Sequence, residues 1–415
     1  MSQNRRVVVT GLGAVTGIGL DVSTFWSSLQ EGRSGVSPID AFETDEQWST
    51  TIAGQVHGFD PTSCMDPREA KKVDRVAHLG VAAATQAAEH CGIDFGSGDP
   101  WRRGVAIGSG IGGILTIEEQ YLRLLEKGPR RLTPFVVPRL MVNATAGHTS
   151  IKYALKGWNM APATACATGG HAIADAVTQI QRGAVDVVLA GGSEASVSKL
   201  CIAAFGVMKA LSTRNEEPER ASRPFDLDRD GFVMSEGAAV LVLEELEHAK
   251  ARGAEIYAEI LGYGITGDAH HIAAPDPEGA GAHMAMKLAL EDAGVAPEQV
   301  DYINAHGTST PLGDVAEVSA AKALFGDHAY KLAMSSTKSM TGHALGAAGG
   351  IESVAVVKAL CDGVLPPTIN LDTPDPELDL DFVPNEARAC DIDIALNNTF
   401  GFGGANVSLV FKRWA

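Results

Sequence analysis

No apolar run in this sequence approaches the ~20 residues that a helix needs to cross a bilayer, and low-complexity segments are also absent. Cysteine is sparse: the six cysteines lie far apart, with no CxxC pair and no cysteine–histidine spacing typical of a zinc site. We therefore expect no membrane span, no disulfide framework, no bound metal and a reducing compartment, the cytoplasm. The six are Cys64, Cys91, Cys166, Cys201, Cys361 and Cys390.

Positive charge is also scarce. The chain has 33 Lys and Arg against 51 Asp and Glu, so its net charge is −18. A strongly acidic protein is repelled at long range by nucleic acids and anionic membranes, and we expect neither as a partner. With 45% hydrophobic and 20% charged residues, the composition is that of a globular protein. A length of 415 residues suggests two or three domains, or one large two-lobed unit.

Short Val/Ile/Leu runs alternate with Ala-rich stretches of helical spacing along the first half of the chain. Strands that are apolar on successive residues and separated by helices indicate parallel strands buried on both faces. The sequence therefore predicts an α/β fold. The predicted strands are Val7–Val9, Gly104–Ile107 and Val185–Ala190, and the predicted helices include Ala70–His90 and His171–Arg182.

The same order of parts recurs after a charged helix predicted at Glu244–Arg252. The sequence thus predicts two related halves, residues 1–252 and 253–415. Each half has an Ala/Gly-rich helix before its last predicted strand, one opened by Cys166 and the other by the segment ending at His343. If the halves pack about a pseudo-twofold axis, a thiol and an imidazole meet in one central cleft. Later strands are predicted at Ile256–Tyr263, Val300–Ala305 and Ile392–Asn397, with a long loop over Leu365–Pro384.

Two familiar motifs do not fit this chain. The glycines after the first strand, Gly11, Gly13 and Gly17, have a GxGxxxG spacing, and no acidic ribose partner is clearly placed. The acidic run from Asp226 to Gly231 starts like a calcium-binding loop but has Gly237 at the twelfth position. The sequence therefore favours neither a dinucleotide nor calcium.

Three reactive side chains stand at positions that α/β folds use for chemistry. Cys166 begins a glycine-rich helix, where the helix dipole and free amides favour a thiolate. His306 follows a predicted strand, whose carboxyl end opens into the crevice of the sheet. His343 stands at the head of the second glycine-rich helix. The glycine cluster at Gly401–Asn406 can bring backbone N–H groups close to a reacting oxygen.

These segments together resemble the β-ketoacyl-acyl carrier protein synthase family, and most closely its elongating type II branch. The resemblance covers essentially the whole chain. It implies a thiolase-like fold, in which two βαβαβαββ halves form a five-layered α/β/α/β/α homodimeric protein without a cofactor. The matching segments, in family order, are Arg6–Gly13, Thr164–Gly169, Arg223–Phe232, Asn304–Thr310, Lys338–His343 and Phe400–Asn406.

The resemblance also implies a reaction, a decarboxylating condensation with malonyl-acyl carrier protein that elongates fatty acids. Cys166 would carry the acyl group, and the backbone N–H groups of Cys166 and Phe402 would hold the oxyanion. His306 and His343 would stabilise the enolate formed on loss of carbon dioxide. Phe402 would also gate the acyl site.

Further roles follow from the same resemblance. Lys338, paired with Glu317, would orient the site, and Thr308 and Thr310 would grip the pantetheine arm. Ile111 and Phe205 would line the acyl pocket. Because the sequence departs from the family pattern at Val136 and Cys201, the resemblance does not imply a preferred chain length.

The carrier protein is acidic, so an acidic enzyme needs a local basic patch around its substrate entrance. The candidate docking residues are Arg68, Lys71, Lys72, Arg130, Arg131 and Lys209.

Three alternatives remain open on the sequence. A polyketide ketosynthase would share the fold and the chemistry. A chain-length factor would share the fold without the nucleophile. An NAD(P) oxidoreductase would bind a nicotinamide cofactor, which a cofactor titration would detect.

Overall fold

The computed structural model describes residues 5–414, which form fourteen strands and thirteen α-helices. The strands are β1 (Val7–Thr16), β2 (Val36–Pro38), β3 (Ile52–Gly54), β4 (Arg103–Gly108), β5 (Asn159–Met160), β6 (Val187–Glu194), β7 (Gly237–Glu245), β8 (Ala258–Gly267), β9 (Tyr302–Asn304), β10 (Ala333–Ser335), β11 (Val364–Leu365), β12 (Arg388–Ala389), β13 (Ile394–Gly401) and β14 (Ala405–Arg413). The helices are α1 (Val22–Gln30), α2 (Pro67–Ala70), α3 (Arg75–His90), α4 (Ile114–Lys127), α5 (Val136–Leu140), α6 (Ala144–Tyr153), α7 (Thr168–Gln181), α8 (Lys199–Val207), α9 (Leu246–Ala251), α10 (Ala280–Ala293), α11 (Pro311–Phe325), α12 (Lys338–Thr341) and α13 (Ala348–Asp362).

Ten of the strands form one sheet, and the strand order in its second half mirrors the order in its first half. The order β5-β4-β6-β7-β1 in the first half is repeated by β10-β9-β13-β14-β8 in the second. Within this sheet, the two sets of five strands are hydrogen-bonded to each other through a short antiparallel pairing of β1 with β8 at Val7–Val9. The internal repeat predicted from the sequence is therefore present in the strand order. The boundary between residues 252 and 253 stays a prediction.

Strand direction differs in part from the prediction. Strands β4, β5 and β6 are parallel, as are β9, β10 and β13. The other two strands of each half pair antiparallel. β13 and β14 are joined by a turn of three residues, which permits only antiparallel pairing. Burial on both faces comes from helices on both sides of the sheet and does not require parallel neighbours.

The predicted helix at Glu244–Arg252 begins later than expected. Glu244 and Glu245 end strand β7, and the helix covers only Leu246–Ala251. Glu244 is fully buried there because its carboxylate accepts hydrogen bonds from Arg252, His248 and Thr10. A carboxylate that accepts hydrogen bonds from this many neighbours can be buried in a sheet. The sequence pattern around Glu244 does not indicate these neighbours.

Helices α7 and α13 lie between the two halves and contact strands from both of them. Helix α3 covers β1 and β7 from outside, and α10 covers β8 and β14, which gives the five-layered, thiolase-like arrangement. The starts of the two central helices touch through glycines. A Cβ on Gly169 would lie 2.6 Å from Gly350 N, and one on Gly349 would lie 2.5 Å from Gly170 N. No larger residue allows this approach.

The glycines after the first strand and the acidic run that starts at Asp226 both have structural roles. A Cβ on Gly13 would lie 2.0 Å from the carbonyl oxygen of Ala83, so this glycine lets α3 pack directly on β1. Asp226 is buried, and its carboxylate accepts hydrogen bonds from Arg223 and from the backbone N–H groups of Asp372 and Thr373. The segment Leu365–Pro384 is largely irregular, as expected, and Asp226 ties part of it to the body of the protein.

Candidate active site

The segment of Cys166 forms a tight turn before α7. Residues Ala165–Ala167 make a 3₁₀ turn that starts with Ala165 in the left-handed region at φ 50°. The Thr168 hydroxyl donates to the carbonyl of Ala165 at 2.7 Å and accepts from the N–H of Thr164 at 2.9 Å. The turn is therefore held from both sides, and the thiol is fixed at the start of the helix.

The second half repeats this turn. Leu345, at φ 44°, begins the 3₁₀ turn Leu345–Ala347, which leads into α13. His343 lies two residues earlier, where its N–H donates to Val233 O at 2.7 Å and its carbonyl accepts from Ser235 N at 3.0 Å. The structure places Cys166 inside its turn, two residues before α7, and His343 ahead of the corresponding turn, five residues before α13, so Gly346 and not His343 occupies the position equivalent to Cys166.

His306 is held through its backbone by Glu317 on α11. One oxygen of the Glu317 carboxylate accepts from His306 N and the other from Gly307 N, both at 2.8 Å. Asn398 donates to the same carboxylate at 3.2 Å. Burial raises the pKa of Glu317 to about 7 in spite of these donors. Glu317 thus fixes the loop that carries His306.

These elements bring Cys166, His306 and His343 together. The thiol sulfur and a ring nitrogen of each histidine all lie within 4.8 Å of one another. The two imidazole rings meet edge to face, with centroids 5.4 Å apart and an interplanar angle of 87°. Phe232 packs edge-on against His343, and Phe400 lies beside His306. One thiol and two imidazoles are also ligands that a metal such as zinc can bind. Zinc, however, binds the deprotonated thiolate form of cysteine and not the neutral thiol.

Burial dominates the electrostatics of this cluster. It raises the pKa of the Cys166 thiol to about 11, although the N–H of Phe402 and the charge of Lys338 oppose the shift. This shift is the reverse of the one that the position at a helix start predicts, because the loss of water around the sulfur outweighs the effect of the helix dipole. Burial, with Lys338 adding to it, lowers the pKa of both His306 and His343 well below the usual value. Both imidazoles are therefore neutral at pH 7.

The ion pair of Lys338 differs from the prediction. Its ammonium pairs with Glu352 on α13, not with Glu317, and both side chains of the pair are buried. Glu317 is committed to the backbone of the His306 loop, while Glu352 faces the lysine from the central helix. Burial raises the pKa of Glu352 to about 7. The signal in the sequence for Glu352 is a carboxylate in the first turns of α13, among the small and apolar residues of Ala348–Val357.

Phe402 follows β13 in the turn to β14. Its backbone N–H and that of Cys166 both lower the pKa of the Cys166 thiol and so favour the thiolate. Gly401, just before it, packs under the nucleophile segment, where a Cβ would lie 3.2 Å from Cys166 N. The Phe402 ring is 37% exposed and lies 6.2 Å from the ring of Phe205. The two donors of the predicted oxyanion site are thus adjacent.

A cavity of about 490 Å³ opens onto the three reactive side chains. Thr308 and Thr310 line it, with their hydroxyl oxygens 3.0 Å apart. The Thr310 oxygen also accepts from Gly313 N, which caps α11. Two predicted acyl-pocket residues and one predicted docking residue also line the cavity: Ile111, Phe205 and Lys209.

The other five docking candidates lie outside this cavity. Arg68 and Lys71 are exposed at α2, and Arg130 and Arg131 are exposed before α5. Lys72 lies over the ring of Phe135, 5.6 Å from its centroid, and pairs with Glu69. This contact brings the α2 segment close to the segment that carries the two arginines.

Comparisons with known proteins agree with this arrangement. The family models described as beta-ketoacyl synthase, N-terminal domain and C-terminal domain match residues 4–249 and 257–372. A 3-oxoacyl-[acyl-carrier-protein] synthase 2 of Coxiella burnetii is 53% identical over 411 residues, which are 99% of each chain. A protein of the same name from Staphylococcus aureus is 50% identical over 414 residues, all of both chains.

Solved structures give the same picture. A type II polyketide ketosynthase, in complex with its acyl-carrier protein, has a TM-score of 0.93, 36% identity and full coverage of both chains. A beta-ketoacyl synthase from Burkholderia phymatum has a TM-score of 0.90 and 38% identity, over 99% of this chain and 100% of the other. Two mirrored halves with a cysteine and two histidines between them define a thiolase-like ketosynthase. The chain belongs to the beta-ketoacyl synthase family.

Proposed function

We propose that this protein condenses an acyl group, held as a thioester on Cys166, with malonyl-acyl carrier protein. The products are β-ketoacyl-acyl carrier protein, carbon dioxide and free carrier protein. One observation supports this proposal above all: the thiol and the two neutral imidazoles converge within 4.8 Å at one cavity. The full-length relatives named 3-oxoacyl-[acyl-carrier-protein] synthase 2 support an elongating role in fatty acid synthesis.

In the first half-reaction, the Cys166 sulfur attacks the thioester carbonyl of the acyl-carrier protein. The N–H groups of Cys166 and Phe402 stabilise the oxyanion of the tetrahedral intermediate. The C–S bond to the carrier breaks, and the proton of the Cys166 thiol passes to the departing pantetheine thiolate, so acylation takes up and releases no proton overall. A thiol with a pKa of about 11 stays protonated until the substrate arrives.

In the second half-reaction, His306 and His343 each donate a ring N–H to the thioester oxygen of malonyl-carrier protein. Loss of carbon dioxide leaves an enolate at that oxygen, and its carbon attacks the carbonyl of the acyl-Cys166 thioester. The C–S bond to Cys166 then breaks, and the released thiolate takes up a proton to regenerate the thiol. Neutral imidazoles suit this task because they donate a hydrogen bond without giving up a proton. The lowered pKa of both histidines supports the assignment. Lys338 contributes a fixed positive charge nearby, and Glu352 orients it.

We also propose that the enzyme is a cytoplasmic homodimer. The edge strand β5 is exposed, and so are several large apolar side chains of α4 to α6, such as Tyr121, Leu125 and Ile151. An open edge and an apolar face of this kind are features that a second copy covers. All six cysteines are unpaired, which supports a reducing compartment. None of the helices in residues 5–414 has the length and apolar character that a bilayer crossing requires.

The decisive experiment is acylation by mass spectrometry. The purified protein is incubated with acyl-carrier protein, and the peptide that contains Cys166 is weighed. We expect the mass of one acyl group on this peptide, no acylation in Cys166→Ala, and normal acylation in the control Cys361→Ala, which removes an exposed thiol. Elongation by Cys166→Ala, when malonyl-carrier protein is added, would refute the proposal.

A polyketide pathway is the second candidate, because one of the similar structures is a type II polyketide ketosynthase. Its identity with this chain is 36%, against 50–53% for the relatives named 3-oxoacyl-[acyl-carrier-protein] synthase 2. Repeated condensation on one acyl chain without reduction would favour the polyketide pathway. A chain-length factor is disfavoured by the intact cluster of Cys166 and both histidines.

A further inference from the structure

One irregular segment between α8 and β7, residues 223–235, contacts both loops that carry a histidine of the reactive cluster. It includes the acidic run that resembles the start of a calcium-binding loop. At one end, Val233 O accepts from His343 N at 2.7 Å, and Ser235 N donates to His343 O at 3.0 Å. The other end lies against the loop of His306, and the proposed reaction assigns no task to it.

Phe225 is the residue of this segment that packs against the His306 loop. A Cβ on Gly307, the residue after His306, would lie 3.0 Å from Phe225 Cζ, so the tip of the ring rests on the Gly307 backbone. The Glu317 carboxylate accepts from Gly307 N at 2.8 Å, and the Ser336 hydroxyl donates to Gly307 O at 2.6 Å. Gly307 is thus held on three sides, with Phe225 on the apolar one.

The backbone of Phe225 is strained. Its φ is 66°, in the left-handed region that a bulky side chain rarely adopts. Its N–H donates to the Asp314 carboxylate at 3.0 Å, and its carbonyl accepts from Asp375 N at 3.1 Å. Its ring stacks on Phe382, with centroids 4.0 Å apart and an interplanar angle of 11°. Strain of this kind persists only where neighbours fix it, and it is most frequent at functional sites.

We propose that Phe225 is a positioning residue for His306 in the decarboxylating half-reaction. This inference rests on the proposed function, because it concerns the hydrogen bond that His306 donates to malonyl-carrier protein. The Phe225 ring is fully buried, and its backbone and the stack on Phe382 fix it in place. It therefore limits the movement of Gly307 and of the imidazole one residue before it. This matters because both histidines have to reach the same thioester oxygen.

The contacts of Phe225 separate the two half-reactions. Phe225 packs in an apolar core with Ile303 and Leu396. Cys166 belongs to a different apolar cluster, and its turn is held by Thr168. A change at Phe225 should therefore disturb the histidine that acts on malonyl-carrier protein and leave the attack of Cys166 on acyl-carrier protein intact.

Phe225→Leu tests this separation, with Phe325→Leu as the matched control. Phe325 is buried in the same apolar core, at the end of α11, where its ring lies beside His328. The control therefore removes the same side-chain volume from the same core. For each variant we measure the acylation of Cys166 by acyl-carrier protein. We also measure the release of carbon dioxide from malonyl-carrier protein by the isolated acyl-enzyme.

The two variants should differ in the second rate. Because misplacement by about 1 Å can cost about 100-fold in rate and leucine removes only part of the contact, we expect Phe225→Leu to slow carbon dioxide release about tenfold. Its rate of acylation should stay unchanged, as should both rates in Phe325→Leu.

Phe382→Leu provides a second test that keeps Phe225 itself, and it decides the matter if Phe225→Leu does not fold. Loss of the stacked ring should slow carbon dioxide release by a smaller factor and again spare acylation. Equal loss in both half-reactions, or unchanged carbon dioxide release, would overturn the inference, because a purely structural role changes both rates together or neither. An unmodified protein that is not acylated at Cys166 would instead contradict the proposed function, so the two failures are distinguishable.

Discussion

Gly401→Ala tests whether the turn after β13 positions the nucleophile. The added Cβ would lie 2.7 Å from Thr164 O, 3.1 Å from Ala167 N and 3.2 Å from Cys166 N. All three atoms belong to the backbone, so no side chain can rotate away. Either the Phe402 turn or the nucleophile segment has to move. Both carry donors of the proposed oxyanion site.

The size of the effect follows from these contacts. Overpacking of this kind costs about 1–3 kcal/mol of stability, which a protein of this size can tolerate. Loss of one oxyanion donor typically costs about 100–1000-fold in rate. We therefore expect a folded Gly401→Ala protein whose rate of Cys166 acylation is lower by about 100-fold. The assay is the time course of the acylated peptide by mass spectrometry, with circular dichroism to confirm folding.

Gly403→Ala is the comparison within the same turn. No atom lies within 4 Å of its would-be Cβ, but its φ of +84° is unfavourable for alanine and costs about 1–2 kcal/mol. Even if all of this cost appeared in the acylation barrier, the rate would fall by about 30-fold at most, since a factor of ten corresponds to about 1.4 kcal/mol. If Gly401→Ala acylates at the normal rate, or if Gly403→Ala is the more damaging change, the steric argument is wrong.

Three further outcomes are expected. Alkylation of Cys166 by iodoacetamide should accelerate about tenfold per pH unit and level off near pH 11, because only the thiolate reacts; a plateau near pH 7 would contradict this. Glu352→Gln should lower the free energy of unfolding in urea by about 3–5 kcal/mol, because Lys338 is left buried without its partner; a loss below 1 kcal/mol would contradict the buried pair. Reversing Lys72 and Arg131 to glutamate should raise the apparent KM for carrier-linked substrates and spare small thioesters; equal effects on both would exclude the docking patch.

The reacting groups could be predicted because each lies in a short, contiguous segment. The local sequence pattern places Cys166 at the start of a glycine-rich helix. The predicted strand order places His306 directly after a buried strand. The repeat of parts also predicted that Cys166 and His343 would meet in one central cleft. A residue whose position depends only on its own short segment can be predicted from the sequence of that segment.

The partners of these groups could not be predicted in the same way. Glu317 and Glu352 are both buried carboxylates near Lys338, and only the packing of α11 and α13 decides which of them pairs with it. The direction of the Cys166 pKa shift likewise depends on how much water the fold removes, which no local pattern records.

The α/β class, the twofold repeat and the three reactive side chains are all encoded in periodicity or in a short motif, and they could be predicted for that reason. The antiparallel strands, the Lys338–Glu352 pair, the raised pKa of the thiol and the need for glycine at position 401 follow only from the packed structure. These properties depend on distances between segments far apart in the chain, and such distances exist only after the two halves have packed together.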